Sequence, residues 1–255
     1  MGRGEPPPNL SSIKNAEAER REGRGAELSA DPENDTMEII FLDNRIAVCV
    51  KPAGAASTDE PGGVPELLRA ELGQPRACAL TVHRLDRVTG GLMVLARSHR
   101  AASILSRQIT EGRFEKEYLA VVCGIPAEAE GSFRDLLLRD RGQRVTRVVT
   151  EARKGAQEAV LDYCLLGSAA GRGLVRVALR TGRTHQIRAQ FAARGMPLAG
   201  DRKYGAPPEA EKGVALWSYR LAFDHPQSGE RMDLSLEPPQ TWPWTEFEEL
   251  LWKRN

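Results

Sequence analysis

The sequence predicts an α+β fold, with a mixed, mostly antiparallel central sheet flanked by helices and loops. Stretches with strand character outnumber helical ones, and the two kinds do not alternate in the regular way that a parallel βαβ sheet requires. The apolar run GLMVLA at 91–96 is also too short for a helix and suits a strand buried on both faces. At 255 residues and 41% hydrophobic composition, the chain can bury one sizeable core. One main domain is expected over 37–255.

The elements follow in order. Residues 1–36 contain Pro6, Pro7 and Pro8, many Gly, Ser and Glu, and no apolar period, so a disordered tail is expected there. MEIIFL and IAVCV flank Asp43, Asn44 and Arg45, which predicts two strands and a tight turn. VPELLRAELG reads as a helix with Pro65 at its start and Gly73 just past its end. Ser98 can cap a helix running to Gly112, with Ile104, Leu105 and Ile109 inward. FEKEYLAVVCG alternates, with Phe114, Lys116, Tyr118, Ala120 and Val122 on one face and Leu119, Val121 and Cys123 on the other. The stretch 134–154 has seven basic and three acidic residues and weak periodicity, which predicts a basic loop or irregular hairpin. LVRVALR places Val175, Val177 and Leu179 inward and Arg176 and Arg180 outward. HQIRAQFAAR reads as a helix capped by Thr184 and closed by Gly195. VALWSYRLAF and MDLSL add strands, and PWTEFEELLW predicts a closing amphipathic helix.

Charge narrows the partner. The first 36 residues carry five Lys or Arg against eight Asp or Glu, so the rest is mildly basic. Within 171–205 there are eight Lys or Arg and one acid, Asp201, a local patch that suits a polyanion. Cys49, Cys78, Cys123 and Cys164 lack disulfide-framework or metal-ligand spacing, which predicts reduced, mostly buried thiols in the cytoplasm. No apolar run approaches the roughly 20 residues that span a bilayer, so no membrane association is expected.

HRLDRVTGGL at 83–92, KEYLAVV at 116–122, and GRTHQIR at 182–188 followed by PLAGDRKYG resemble the signature blocks of the RluA-like pseudouridine synthases. Their order within about 120 residues makes the joint match specific, and VKPAG at 50–54 extends it. The resemblance implies the pseudouridine synthase fold with a cleft across the sheet, and isomerisation of selected uridines in ribosomal or transfer RNA. It implies no cofactor and no metal. No protein partner is evident, which predicts a monomer. Many relatives carry an N-terminal S4 domain, and 36 unpatterned residues are too few to hold one.

The family's catalytic aspartate falls on Asp86. The reaction needs an ionised carboxylate beside the ribose, as nucleophile or proton carrier, while charge builds on the sugar. By resemblance, Arg188 pairs with Asp86 and Tyr118 stacks on the flipped uracil, its hydroxyl a candidate acceptor of the C5 proton. Arg84 matches the arginine that enters the RNA as the target base leaves its stack. Arg183 is placed for a phosphate, as are Arg176 and Arg180 on their strand face. Gly90 and Gly91 are expected to let the backbone pass close to the nucleotide. His83 and His185 have no metal partners and are expected to serve as supporting hydrogen-bond groups. An alternative is a non-catalytic RNA-binding or ribosome-assembly protein that keeps the fold, against which the joint presence of Asp86, Tyr118 and Arg188 argues. The chain departs from the family pattern twice. It has Thr89-Gly90-Gly91 where Thr-Ser-Gly is usual, and Leu216-Trp217-Ser218 where Leu-His-Ala is common.

Overall fold

The computed structural model describes residues 37–209 and 213–252. The expected tail, 1–36, lies outside them. The described strands form one sheet in the order β1-β2-β4-β10-β5-β9-β8-β6-β7, with β3 on β4 and β11 on β10. The strands are β1 (Ile39–Leu42), β2 (Ile46–Lys51), β3 (Leu80–Thr81), β4 (Gly90–Ala96), β5 (Glu115–Cys123), β6 (Glu130–Asp140), β7 (Val145–Val149), β8 (Gln157–Ala169), β9 (Arg172–Leu179), β10 (Leu216–Asp224) and β11 (Arg231–Ser235). The helices are α1 (Val64–Glu71), α2 (His99–Thr110), α3 (Gln186–Ala192) and the single turn α4 (Glu248–Leu251). Pairing is antiparallel except for β4 with β10. The mixed, mostly antiparallel sheet is therefore as the sequence predicts.

Strand parity divides the core. Along β5, Tyr118, Ala120 and Val122 face a cluster with Leu85, Ile187 and Phe191, while Leu119 and Val121 face Leu174, Trp244 and Phe247. The first of these faces carries the candidate site. All seven residues of β4 are buried, as its unbroken apolar run requires. Ser98 Oγ accepts from Ala101 N at 3.2 Å and caps α2, and Gly73 follows α1 in the left-handed region at φ +62°.

Four expectations are corrected. The basic stretch is a regular hairpin, β6–β7, paired over five positions; its arginines are exposed and fall on both strand faces, Arg139 on that of Phe133 and Leu137, so the inward alternation is diluted in sequence. Thr184 does not cap α3, which starts at Gln186 after a left-handed His185. The closing helix is a 3-10 turn, Trp244–Phe247, followed by the one-turn α4, because its aromatics pack on the sheet. The four cysteines are free, but only Cys49 is fully buried.

The parallel contact between β4 and β10 also corrects the role of the two glycines. Gly91, at φ +111°, lies against the Ser218 backbone where any Cβ would clash. A Cβ on Gly90 would stand 2.7 Å from Cζ3 of Trp217, whose Nε1 donates to the Leu236 carbonyl at 2.8 Å. Both glycines thus serve strand packing, and the two departures from the family pattern meet: the missing side chain at 90 makes room for the large one at 217. Gly90→Ser should lower stability by about 1–3 kcal/mol through overpacking, and should cost clearly less in a Trp217→His background. Thermal melts of the four proteins of this cycle test it; equal losses in both backgrounds would remove Trp217 as the clash.

Candidate active site

Asp86 sits in the loop that enters β4. Ser57 Oγ accepts from Leu85 N at 3.0 Å and donates to the Leu85 carbonyl at 2.8 Å. Lys51, fully buried, donates from Nζ to the carbonyls of Pro52, Arg87 and Thr89 at 2.9, 3.1 and 2.8 Å. Gly54 N donates to the Arg87 carbonyl at 2.7 Å, and Thr89 N closes a turn on the Asp86 carbonyl at 3.0 Å. Burial pushes the Lys51 ammonium down to about 8, against the charge of Asp86, which raises it. Its three donors are matched by three acceptors, so the backbone on both sides of Asp86 has little freedom.

The opposite wall is α3. Gln186 builds its entry: Oε1 accepts from Arg183 N at 2.9 Å and from Thr181 Oγ1 at 2.8 Å, and Nε2 donates to the Val160 carbonyl at 3.0 Å. Ile187 and Phe191 seat the helix in the core, and Gln190 donates to Asp135 at 2.7 Å. Arg188, 3% exposed, is thereby held inside the protein. Its Nε and Nη2 donate to the two carboxylate oxygens of Asp201 at 2.6 and 2.9 Å, while Nη1 donates to Asp86 Oδ2 at 3.2 Å. Tyr204 lies under the guanidinium, 4.9 Å from its ring centroid. The two carboxylates raise the Arg188 pKa against the desolvation that lowers it. One face of the fork is used up by Asp201, so the remaining nitrogen is aimed at Asp86. Asp86 Oδ1 accepts no hydrogen bond among the described residues, and the Asp86 side chain is partly exposed.

Two further groups complete the surroundings. His185, left-handed at φ +54°, is held by Nδ1 2.8 Å from the Tyr204 hydroxyl. That hydroxyl also accepts from Thr146 N at 2.8 Å. His185 Nε2 lies 3.9 Å from Asp86 Oδ2. Burial lowers the His185 pKa, so the ring is neutral at pH 7. Tyr118 is 5% exposed, and burial, then the charge of Asp86, push its hydroxyl above the ordinary tyrosine range. It remains a phenol at neutral pH.

The structure brings Asp86, Arg188 and Tyr118 together. Arg84 is exposed and has no partner among the described residues, and Arg87 turns to Glu60 at 2.5 Å, so neither pairs with Asp86. Arg183 stands at the entry of α3 and donates to the Glu158 carbonyl at 2.9 Å. Arg176 and Arg180 are corrected: both point to the sheet face away from Asp86, toward Glu117 at 3.8 Å and Asp162 at 2.7 Å. Alternation distinguishes inward from outward, but in a sheet covered on both sides it does not say which face carries the site. The basic patch of 171–205 disperses for the same reason, since Arg172 meets Glu209 and Glu246, and Arg194 meets Asp135. His83 supports as expected, accepting from Val94 N at 3.1 Å, with burial pushing it down to about 3. Sequence reasoning missed Asp201, Tyr204 and Lys51. Asp201 had a signal, as the single acid among eight cations, and Lys51 and Tyr204 lie in the recognised blocks VKPAG and GDRKYG.

The mixed sheet thus carries a carboxylate against a doubly anchored arginine, beside a buried tyrosine. The family model for RNA pseudouridylate synthase matches residues 45–193. An uncharacterized RNA pseudouridine synthase of Aquifex aeolicus is 34% identical over 236 residues, 84% of this chain and 73% of that protein. Ribosomal large subunit pseudouridine synthase D of Neisseria meningitidis is 36% identical over 232 residues, 83% of this chain and 60% of that protein. The solved human RNA pseudouridylate synthase domain containing 1 shares the fold, with a TM-score of 0.69 at 22% identity over 84% of this chain and 88% of that one. The chain belongs to the RNA pseudouridine synthase family.

Asp201→Asn keeps the shape but takes away half of the charge that anchors Arg188. The single-turnover rate of uridine isomerisation should fall at least about ten-fold, one power of ten being about 1.4 kcal/mol, with RNA affinity changed less. A rate equal to the parent's would mean that Asp201 is not needed to aim Arg188.

Proposed function

We propose that this protein isomerises specific uridines in ribosomal or transfer RNA to pseudouridine, with Asp86 as the catalytic residue. The observation that carries this reading is the asymmetry of the Asp86 carboxylate: Oδ2 is held by Arg188 at 3.2 Å, while Oδ1 accepts no hydrogen bond among the described residues. An ionised oxygen facing the ribose can attack carbon or take a proton as the N1 to C1′ bond breaks. The uracil then turns in the site, and C5 joins C1′. Arg188 keeps the carboxylate charged and aimed, so its planar fork matters as much as its charge.

Tyr118 supplies a flat surface for the uracil in the same pocket. As a phenol it accepts the C5 proton only by passing its own proton on, and stacking is therefore its first role. A uridine in folded RNA must leave its stack to reach Asp86, at a cost of a few kcal/mol that an inserted side chain partly offsets. Arg84, exposed one residue before the buried Leu85, is suited to that insertion, and Arg183 to a phosphate. The name of the Neisseria relative favours ribosomal over transfer RNA. The cytoplasm is the proposed location.

Mapping pseudouridines in total RNA with and without the gene tests the reading, and the expected result is loss of one or a few ribosomal sites. An unchanged map would sink it. Asp86→Asn should abolish restoration of those sites while folding and RNA affinity are retained; activity within ten-fold of the parent would remove Asp86 from the catalytic role. Arg84→Ala should slow turnover on a folded stem-loop more than on an unstructured RNA of equal length. Equal slowing on both, in single-turnover assays, would reduce Arg84 to a phosphate contact.

A further inference from the structure

Lys116 lies on β5 two residues before Tyr118, on the same face of the strand. That spacing is about 7 Å along the sheet. Its side chain is half-buried, and Nζ stands 3.4 Å from the position a Cβ on Gly182 would take, so it reaches the turn that leads into α3. On its other side is His83, neutral and buried, next to the exposed Arg84. Lys116 makes no hydrogen bond or ion pair among the described residues. The neighbouring acids Glu115 and Glu117 point to the opposite face, where they bind Arg220 and Arg231. Arg84 and Arg183 also lack a carboxylate partner among the described residues. Lys116 is thus a half-buried cation without a counterion among the described residues, on the strand face that carries Tyr118.

We propose that Lys116 binds the RNA phosphate that flanks the target uridine, fixing the backbone of the flipped nucleotide while Tyr118 holds its base. This inference rests on the RNA-modifying reading above. A partly buried ammonium with no acceptor is unfavourable in the free protein, and burial alone lowers the Lys116 pKa, with no neighbouring acid to raise it. A phosphate oxygen supplies the missing acceptor and anion together. The crevice stays open for it because position 182 is glycine, whose absent side chain leaves the ammonium accessible.

The test is a cycle between Lys116→Met and RNA in which a single linkage, 5′ or 3′ of the target uridine, is an uncharged methylphosphonate. Affinity is read by fluorescence anisotropy, and melting is followed for each protein. Lys116→Met should weaken binding of the all-phosphate stem-loop about ten-fold, as expected for a hydrogen bond to a charged group. On the RNA neutralised at the contacted linkage it should weaken binding less than about two-fold. The variant should melt at or above the parent's temperature, since an unpaired cation has been removed from a crevice. Additive effects at both linkages, or a fall in melting temperature that accompanies the affinity loss, would overturn the proposal. Affinity does not require turnover, so an inactive parent protein would refute the isomerase reading without deciding the Lys116 contact.

Discussion

The site depends on how one buried arginine divides its hydrogen bonds. Arg188 gives its Nε and Nη2 edge to Asp201 and a single nitrogen to Asp86. A buried guanidinium with one carboxylate would pair with it fully and leave no oxygen free. With two, the deeper acid, 1% exposed, takes the bidentate geometry, and the shallower one keeps an oxygen for the cleft. Desolvation of three charges is costly, and here the cost is offset by close geometry and by the Tyr204 ring beneath the guanidinium.

That arrangement requires both walls to be rigid. Lys51 and Ser57 hold the Asp86 loop through its backbone, while Gln186 and Gln190 hold α3 through β8 carbonyls and Asp135. Buried polar side chains therefore add to the apolar contacts of Ile187 and Phe191 in orienting the helix. The sheet contributes the floor. Its β4–β10 contact, close enough to exclude a Cβ at Gly90 and Gly91, brings the start of β4, and so the Asp86 loop, next to the strand that pairs with Tyr118.

The difference between paired and unpaired cations gives the surface its meaning. Total basic content pointed to a polyanion, but most arginines of 171–205 neutralise acids of their own fold. Arg84, Arg183 and Lys116 are among the cations that have no acid partner among the described residues, and the face of the strand or loop that each occupies decides this.

Much of this was legible in the amino-acid order. Alternation in 114–123 assigns Tyr118 to one face of a strand, the run 91–96 marks a buried strand, and the spaced blocks around Asp86 and Arg188 define a family. These are local or additive signals, carried by period and by residue type at fixed offsets. Tertiary structure alone decided that Arg176 and Arg180 turn away from the site, that Gly90 serves Trp217, and that Asp201 orients Arg188. Each depends on contacts between segments far apart in the chain, or on which of two covered sheet faces meets α3. No single-segment pattern encodes that choice, because both faces of this sheet are apolar and the groups that distinguish them are supplied by other elements.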